Sequence, residues 1–156
     1  MYFRTLPILT VMAITAAPVL VSYAASPRSE IQGTYGKIAS AFARKDLNTA
    51  TSYFTSDYAY TDSQGTSLSA AGLRDYYAPL LRPVSVNSSR ISIQSFNAQD
   101  SQIQAVVKQV SNMSLGANKI VYETTTRDTW VKTSAGWRIQ QSQVLSVNQT
   151  VNGRST

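Results

Sequence analysis

The side chains available for chemistry are limited, because the 156-residue chain contains no cysteine and no histidine. This excludes thiol nucleophiles, disulfides, thiolate or imidazole metal sites and Ser-His-Asp triads within the chain. Acid–base chemistry would have to use carboxyl, phenol or amine groups. The 8 acidic residues and the 9 tyrosines are therefore the side chains to place first.

One acid falls on a strand face that carries large aromatic residues. Alternation over residues 119–132 puts Asp128 on the same face as Tyr122 and Trp130. Such a face points into a core or a cavity, where a polar group needs a hydrogen-bond partner. Asp128 is therefore either a ligand-orienting group in a pocket or a structural acceptor for a tyrosine hydroxyl or an arginine.

The next strand repeats this pattern with two amides. Gln141 and Gln143 are in phase with Trp137 and Ile139, which predicts that both amides face inward. There they would orient a ligand, bridge strands or lie at a wet rim of the sheet.

An earlier alternating segment puts Tyr58, Tyr60 and Asp62 on one face. We expect these two tyrosines, with Tyr35 and Tyr122, to lie at the core or in a pocket, since each has a large apolar body and a hydroxyl group that needs a partner. Asp62 begins the sequence Asp-Ser-Gln-Gly, so a turn-forming role competes with a role in acid–base chemistry.

These residues must be positioned by helices and strands. Along the chain, the spacing of the apolar residues changes from helical to alternating. Apolar spacing predicts a helix from Ser29, a short helix capped by Asp46, and a third helix capped by Ser69 and stopped by Pro83. Four consecutive strands follow, with connectors of hairpin length. This order indicates an α+β fold, in which three N-terminal helices pack on a strongly curved antiparallel sheet.

The chain is expected to contain a leader and one domain. Residues 1–24 combine a short charged start, an apolar stretch and a small-x-small sequence, which is typical of a secretory signal peptide cleaved after Ala24 or Ala25. This predicts an exported protein, periplasmic or extracellular, without a stable membrane anchor after cleavage. The domain is expected over residues 29–147, followed by a flexible polar tail at 148–156.

Charge and motifs exclude several classes of partner. The 14 basic and 8 acidic residues leave a net charge of +6. The cations are scattered singly apart from Arg44 and Lys45, so we expect no nucleic-acid partner. The sequence has no phosphate loop, no dinucleotide fingerprint and no acids at metal-ligand spacing, so we expect no cofactor and no metal.

The order of elements and three phrases, at residues 41–47, 53–65 and 128–139, resemble the superfamily of nuclear transport factor 2 (NTF2), SnoaL-type cyclases and ketosteroid isomerases. The resemblance implies a cystatin-like α+β cone with an apolar internal pocket. It also implies a possible homodimer through the sheet, which is frequent in this superfamily.

By the same resemblance, Asp62 corresponds to the general base of the isomerases. Asp128 corresponds to their protonated carboxyl group, which donates to the developing enolate. The catalytic tyrosine of their first helix corresponds to Ile38, and the nearest tyrosine here is Tyr35, so this chain departs from the isomerase pattern.

Two functions are therefore expected. The first is binding of an unknown small, partly apolar molecule or a protein partner in or around the pocket, with catalysis not established. The alternative is a cofactor-independent isomerase, cyclase or lyase that uses Asp62 and Asp128. The predicted pocket residues are Tyr35, Tyr58, Tyr60, Tyr122, Trp130, Gln141 and Gln143.

Overall fold

The computed structural model describes residues 26–155. The helices are α1 (Pro27–Ala43), α2 (Leu47–Thr51) and α3 (Ala70–Leu81). The strands are β1 (Phe54–Thr61), β2 (Ser67–Leu68), β3 (Ser85–Ala98), β4 (Gln102–Leu115), β5 (Asn118–Thr133), β6 (Gly136–Val151) and β7 (Arg154–Ser155). The predicted α+β class, with helices packed on a curved sheet, is confirmed.

The sheet is mixed. Its strands lie in the order β2-β1-β6-β5-β4-β3, and β7 pairs with β6. Strands β3 to β6 form the expected antiparallel meander, but β1 pairs parallel with β6. The predicted antiparallel pairing holds for β3 to β6 and is corrected at β1, because hairpin-length connectors indicate only the pairing of neighbouring strands and β1 pairs with a strand far along the chain.

Side-chain caps begin the helices. The predicted caps Asp46 and Ser69 each accept a hydrogen bond from the backbone N–H three residues further on, at 3.0 and 3.1 Å. Helix α1 begins one turn earlier than predicted, since Ser26 rather than Ser29 is its cap and Pro27 occupies the first helical position.

Helix α1 is attached to the edge strand β3 by one amide. Gln32 Nε2 donates to the carbonyl oxygen of Ile91 (3.0 Å), and its Oε1 accepts from the backbone N–H of Ile93 (3.3 Å). The buried face of the helix includes Tyr35 and Ile38. The attachment therefore holds the Tyr35 ring over the inner face of the sheet.

Strand β6 contains a bulge at Gln140. Pairing with β5 skips this residue, and its amide donates instead to Asp57 of β1 (2.9 Å). One extra residue reverses the alternation of the side chains that follow, up to a second register shift at Leu145. Trp137 and Ile139 are buried before the bulge, whereas Ser142 is buried after it.

The C-terminal segment is strand rather than flexible tail over its described part. Strand β6 continues to Val151, residues 148–151 pair with β5, and a turn at Asn152 and Gly153 leads to β7. The prediction for residues 148–156 is therefore wrong up to residue 155, because backbone pairing does not require apolar side chains.

The predicted signal peptide, residues 1–24, lies outside the described residues. Among residues 26–155, no helix has the length and apolar character needed to cross a membrane.

Candidate functional site

A pocket lies between the helices and the inner face of the sheet. Its cavity measures about 130 Å³, close to the roughly 150 Å³ of an apolar cavity that holds benzene. Most of its wall is apolar or aromatic, and includes Ile38, Phe42, Leu47, Phe54, Leu73, Ile91, Val107 and Ile139. The shape and wall suit one small apolar group with few polar contacts.

Asp128 is the one carboxyl group among the lining residues within 26–155, and it is 3% exposed. The Tyr35 hydroxyl donates to Asp128 Oδ2 (2.7 Å), and Trp130 Nε1 donates to the Tyr35 hydroxyl oxygen (2.8 Å). The rings of Tyr35 and Trp130 meet edge to face with centroids 5.1 Å apart. This buried chain of hydrogen bonds fixes the orientation of the Asp128 carboxyl group.

The other oxygen of Asp128, Oδ1, is buried and has no well-formed hydrogen bond among residues 26–155, although the hydroxyls of Ser142 and Thr126 lie close enough to the carboxyl group to lower its pKa. Burial raises the pKa of Asp128, and the hydroxyls of Tyr35, Ser142 and Thr126 offset only part of this effect. The neutral form is therefore more favoured in Asp128 than in an exposed aspartate. A neutral carboxyl group can both donate and accept a hydrogen bond toward a bound molecule.

A cluster of phenols forms a second polar part of the wall. Tyr60 of β1, Tyr77 of α3 and Tyr122 of β5 contribute neighbouring hydroxyls. Burial, and then the proximity of the other phenols, raises the pKa of Tyr77, and burial also raises that of Tyr60. Tyr60 and Tyr77 are therefore neutral hydrogen-bonding hydroxyls rather than phenolate bases.

Comparison with known proteins gives similarity in structure alone. No protein-family model and no curated protein matches the sequence. An NTF2-like protein of unknown function from Prochlorococcus marinus is 17% identical, with a TM-score of 0.66 over 78% of this chain and 94% of that one. An NTF2-like protein with a cystatin-like fold from Novosphingobium aromaticivorans is 15% identical, with a TM-score of 0.61 over 75% and 79%.

A third such structure, an NTF2-like protein from Cytophaga hutchinsonii, is 11% identical, with a TM-score of 0.59 over 77% of this chain and 98% of that one. The chain has the NTF2-like cone fold. The predicted resemblance is thereby confirmed at the level of the fold, which hosts many unrelated functions.

Four of the predicted pocket tyrosines line the NTF2-like pocket: Tyr35, Tyr58, Tyr60 and Tyr122. Trp130 is fully buried but is not part of the lining. Its indole N–H donates to the Tyr35 hydroxyl oxygen and so fixes the position of this hydroxyl.

The prediction that Gln141 and Gln143 line the pocket is wrong. Both are exposed, because the bulge at Gln140 reverses the alternation that was extrapolated from Ile139. The inward position next to the bulge belongs to Ser142, which pairs across the strands with Asp128.

Asp62 is not part of the pocket lining. Its carboxylate accepts hydrogen bonds from the backbone N–H groups of Gln64 (2.9 Å) and Thr66 (2.8 Å). These backbone donors lower the pKa of Asp62. Asp62 and Asp128, the two acids of the alternative enzyme hypothesis, therefore do not line the same pocket, because β1 ends one residue before Asp62 and the chain turns there.

Sequence reasoning missed Arg74, which lines the pocket from α3. Its Nη1 donates to Thr51 Oγ1 at the end of α2 (2.9 Å). The available signal was helical spacing, since Arg74 and Tyr77 are three residues apart and share a helix face.

Metal binding has no visible basis in the part of the chain that the structure describes. No three or more acidic side chains come together there in a way that could hold an ion.

Proposed function

We propose that the chain binds a small, mainly apolar molecule inside the cone, and that one polar atom of this ligand bonds to Asp128. The observation that carries the proposal is Asp128 Oδ1, a buried oxygen that lacks a well-formed hydrogen bond among the described residues, in the wall of an aromatic pocket. Buried polar groups normally have partners, and a group that lacks one in a binding cavity is a natural contact for a ligand.

A ligand carbonyl group fits this oxygen best. Oδ2 already accepts from Tyr35, so the proton of the neutral acid is free to lie on Oδ1. An O–H group there donates to a carbonyl oxygen, in a dry site where such a bond is stronger than in water.

Acid–base catalysis by Asp62 and Asp128 together is not part of the proposal. A proton transfer at carbon would need a base near the bound molecule as well as a donor. Asp62 is held in its own turn, and burial raises the pKa of the lining phenols Tyr58 and Tyr77. The site therefore supports binding more strongly than isomerisation.

The test compares acetophenone with ethylbenzene, two ligands of similar size that differ by the carbonyl group. By isothermal titration calorimetry, the wild-type protein should bind acetophenone about tenfold more tightly, as one hydrogen bond in a buried site allows. Asp128→Leu should abolish this preference, whereas Asp128→Asn keeps a donor and should retain most of it. Asp62→Asn is the matched control and should behave as wild type.

Failure of both ligands to bind, or an unchanged preference in Asp128→Leu, would contradict the proposal. Native mass spectrometry of protein purified from its own host supplies an independent test. A copurified small molecule should be present in the wild-type protein and reduced in Asp128→Leu.

A further inference from the structure

The charges of the pocket wall restrict the class of ligand. Among the 21 lining residues, Arg74 and Asp128 are the ones with ionisable acidic or basic groups other than phenols. Asp128 lies on β5 and is not within ion-pair distance of Arg74, so the positive charge of Arg74 has no paired carboxylate in the wall.

Arg74 also lacks an acidic partner elsewhere. Within residues 26–155, the ion pair at 4.0 Å or less is Lys108 with Glu123, and neither residue lines the pocket. Asp46 and Asp75 border a surface groove that Arg74 also lines, but neither lies within ion-pair distance of it. A half-buried guanidinium without a carboxylate is uncommon, because burial of an unpaired charge costs free energy.

The position of Arg74 suits the recognition of a ligand that enters from solvent. Its side chain borders both the pocket and the surface groove, so it lies between the interior and the outside. The hydrogen bond from Nη1 to Thr51 Oγ1 anchors one edge of the guanidinium. A guanidinium carries five N–H donors, so one anchored edge leaves others for a ligand.

We infer that the pocket selects a small apolar monocarboxylate, with the carboxylate bound by Arg74 and the apolar body held among the aromatic side chains. The inference rests on the proposed ligand-binding function and adds the charge of the ligand. A carboxylate matches the planar fork of one arginine, and its single charge matches the single cation of the wall. A phosphate ester would bring up to two charges to that one cation.

The test uses phenylacetate, 3-phenylpropanoate and 4-phenylbutanoate, each compared with the alcohol of the same length. The phenyl ring matches the size of the cavity. The three chain lengths place the carboxylate at different distances from the ring, and so from Arg74. For at least one length, the wild-type protein should bind the carboxylate about tenfold or more tightly than the alcohol, as a charge-assisted bond permits.

The matched variants are Arg74→Gln, Arg74→Lys and Arg82→Gln. Arg82 borders the same surface groove but not the pocket, so its replacement makes the same change in net charge. Arg74→Gln should remove the preference for the carboxylate and leave alcohol binding unchanged, and Arg74→Lys should retain part of the preference. Arg82→Gln should match wild type.

The outcomes separate this inference from the proposed function. Alcohols that bind as tightly as the carboxylates would overturn the inference and leave the proposed function standing. Failure of every acid and alcohol to bind would overturn the inference, whereas the proposed function falls only if acetophenone and ethylbenzene also fail to bind. An equal loss of affinity for acids and alcohols in Arg74→Gln would indicate that Arg74 stabilises α2 rather than binds the carboxylate, and would overturn the inference.

Discussion

Tyr35 stabilises two buried groups at once. Its hydroxyl donates to Asp128 and accepts from Trp130, so this one group is a hydrogen-bond partner of both other side chains. The hydroxyl proton is therefore not free to be donated to a ligand. In this arrangement Tyr35 supports the Asp128 carboxyl group.

Replacement of this hydroxyl should be costly. Tyr35→Phe leaves the Trp130 indole N–H buried without its acceptor and removes one bond from Asp128. We expect the free energy of unfolding to fall by about 1–3 kcal/mol, the usual cost of an unsatisfied buried polar group. Denaturant titration would measure it. Tyr76→Phe makes the same chemical change at an exposed tyrosine and should have almost no effect; equal effects of the two variants would contradict the assignment.

The raised pKa of Asp128 predicts how stability depends on pH. The folded state keeps the Asp128 proton above the ordinary pKa of 3.8, whereas the unfolded state loses it. The folded state then binds more protons, so this residue makes stability fall as pH rises from about 3.8 to the folded pKa.

Asp128→Asn removes that dependence. The free energy of unfolding of wild type minus that of the variant should decline with pH across this window, by up to about 1.4 kcal/mol per pH unit, and then level off. The lowered pKa of Asp62 acts in the opposite direction below 3.8, but it is common to both proteins and cancels. A difference that does not vary with pH would refute the raised pKa.

At the level of the elements, two local features of the strands decide which polar groups reach the pocket. The turn after β1 takes Asp62 out of the site, and the bulge in β6 replaces two glutamines with Ser142. Neither feature changes which strands exist. Each changes the direction of a few side chains, and this determines the chemistry of the wall.

The turn can be tested separately from the pocket. Asp62→Ala removes the acceptor for two backbone N–H groups, so we expect a loss of about 1 kcal/mol of stability, as for a lost helix cap. Ligand affinity, measured with acetophenone as above, should remain that of wild type. Ser63→Ala in the same turn is the control for stability. A loss of affinity without a loss of stability would indicate that Asp62 takes part in ligand binding.

At the level of the whole molecule, the sheet leaves apolar side chains exposed. Leu145 and Val147 of β6 and Leu115 of β4 are 41–49% exposed. We expect a homodimer that covers part of the sheet, since association would remove such apolar side chains from water.

Light scattering across a concentration series would detect the dimer. The double change Leu145→Gln and Val147→Gln should raise its dissociation constant about tenfold or more, as the loss of buried apolar area requires. Tyr76→Gln and Leu80→Gln, at exposed positions on α3, are the control pair. A wild-type protein that stays monomeric at high concentration would contradict the expected homodimer.

The expected export of the chain can be tested through the N-terminus of the mature protein. Cleavage after Ala24 or Ala25 leaves Ser26, the cap of α1, on the mature protein. We expect intact-mass measurement of protein from the envelope or the medium to give an N-terminus at Ala25 or Ser26. A full-length chain that begins at Met1 and stays inside the cell would contradict the prediction.

Local patterns in the sequence were enough to predict the three helices, two of their caps, the meander and the inward tyrosines. These features depend on residues within a few positions of one another. The inward position of Asp128 was also predictable, because β5 alternates without a break through this position.

Tertiary structure alone decided the parallel pairing of β1 with β6, the bulge at Gln140 and the outward turn at Asp62. It also placed Arg74 without an acidic partner among the described residues. These features depend on contacts between segments far apart in the chain, which no local periodicity encodes. The sequence therefore determined the cone and one acid of its pocket, whereas distant pairings determined which other groups share that pocket.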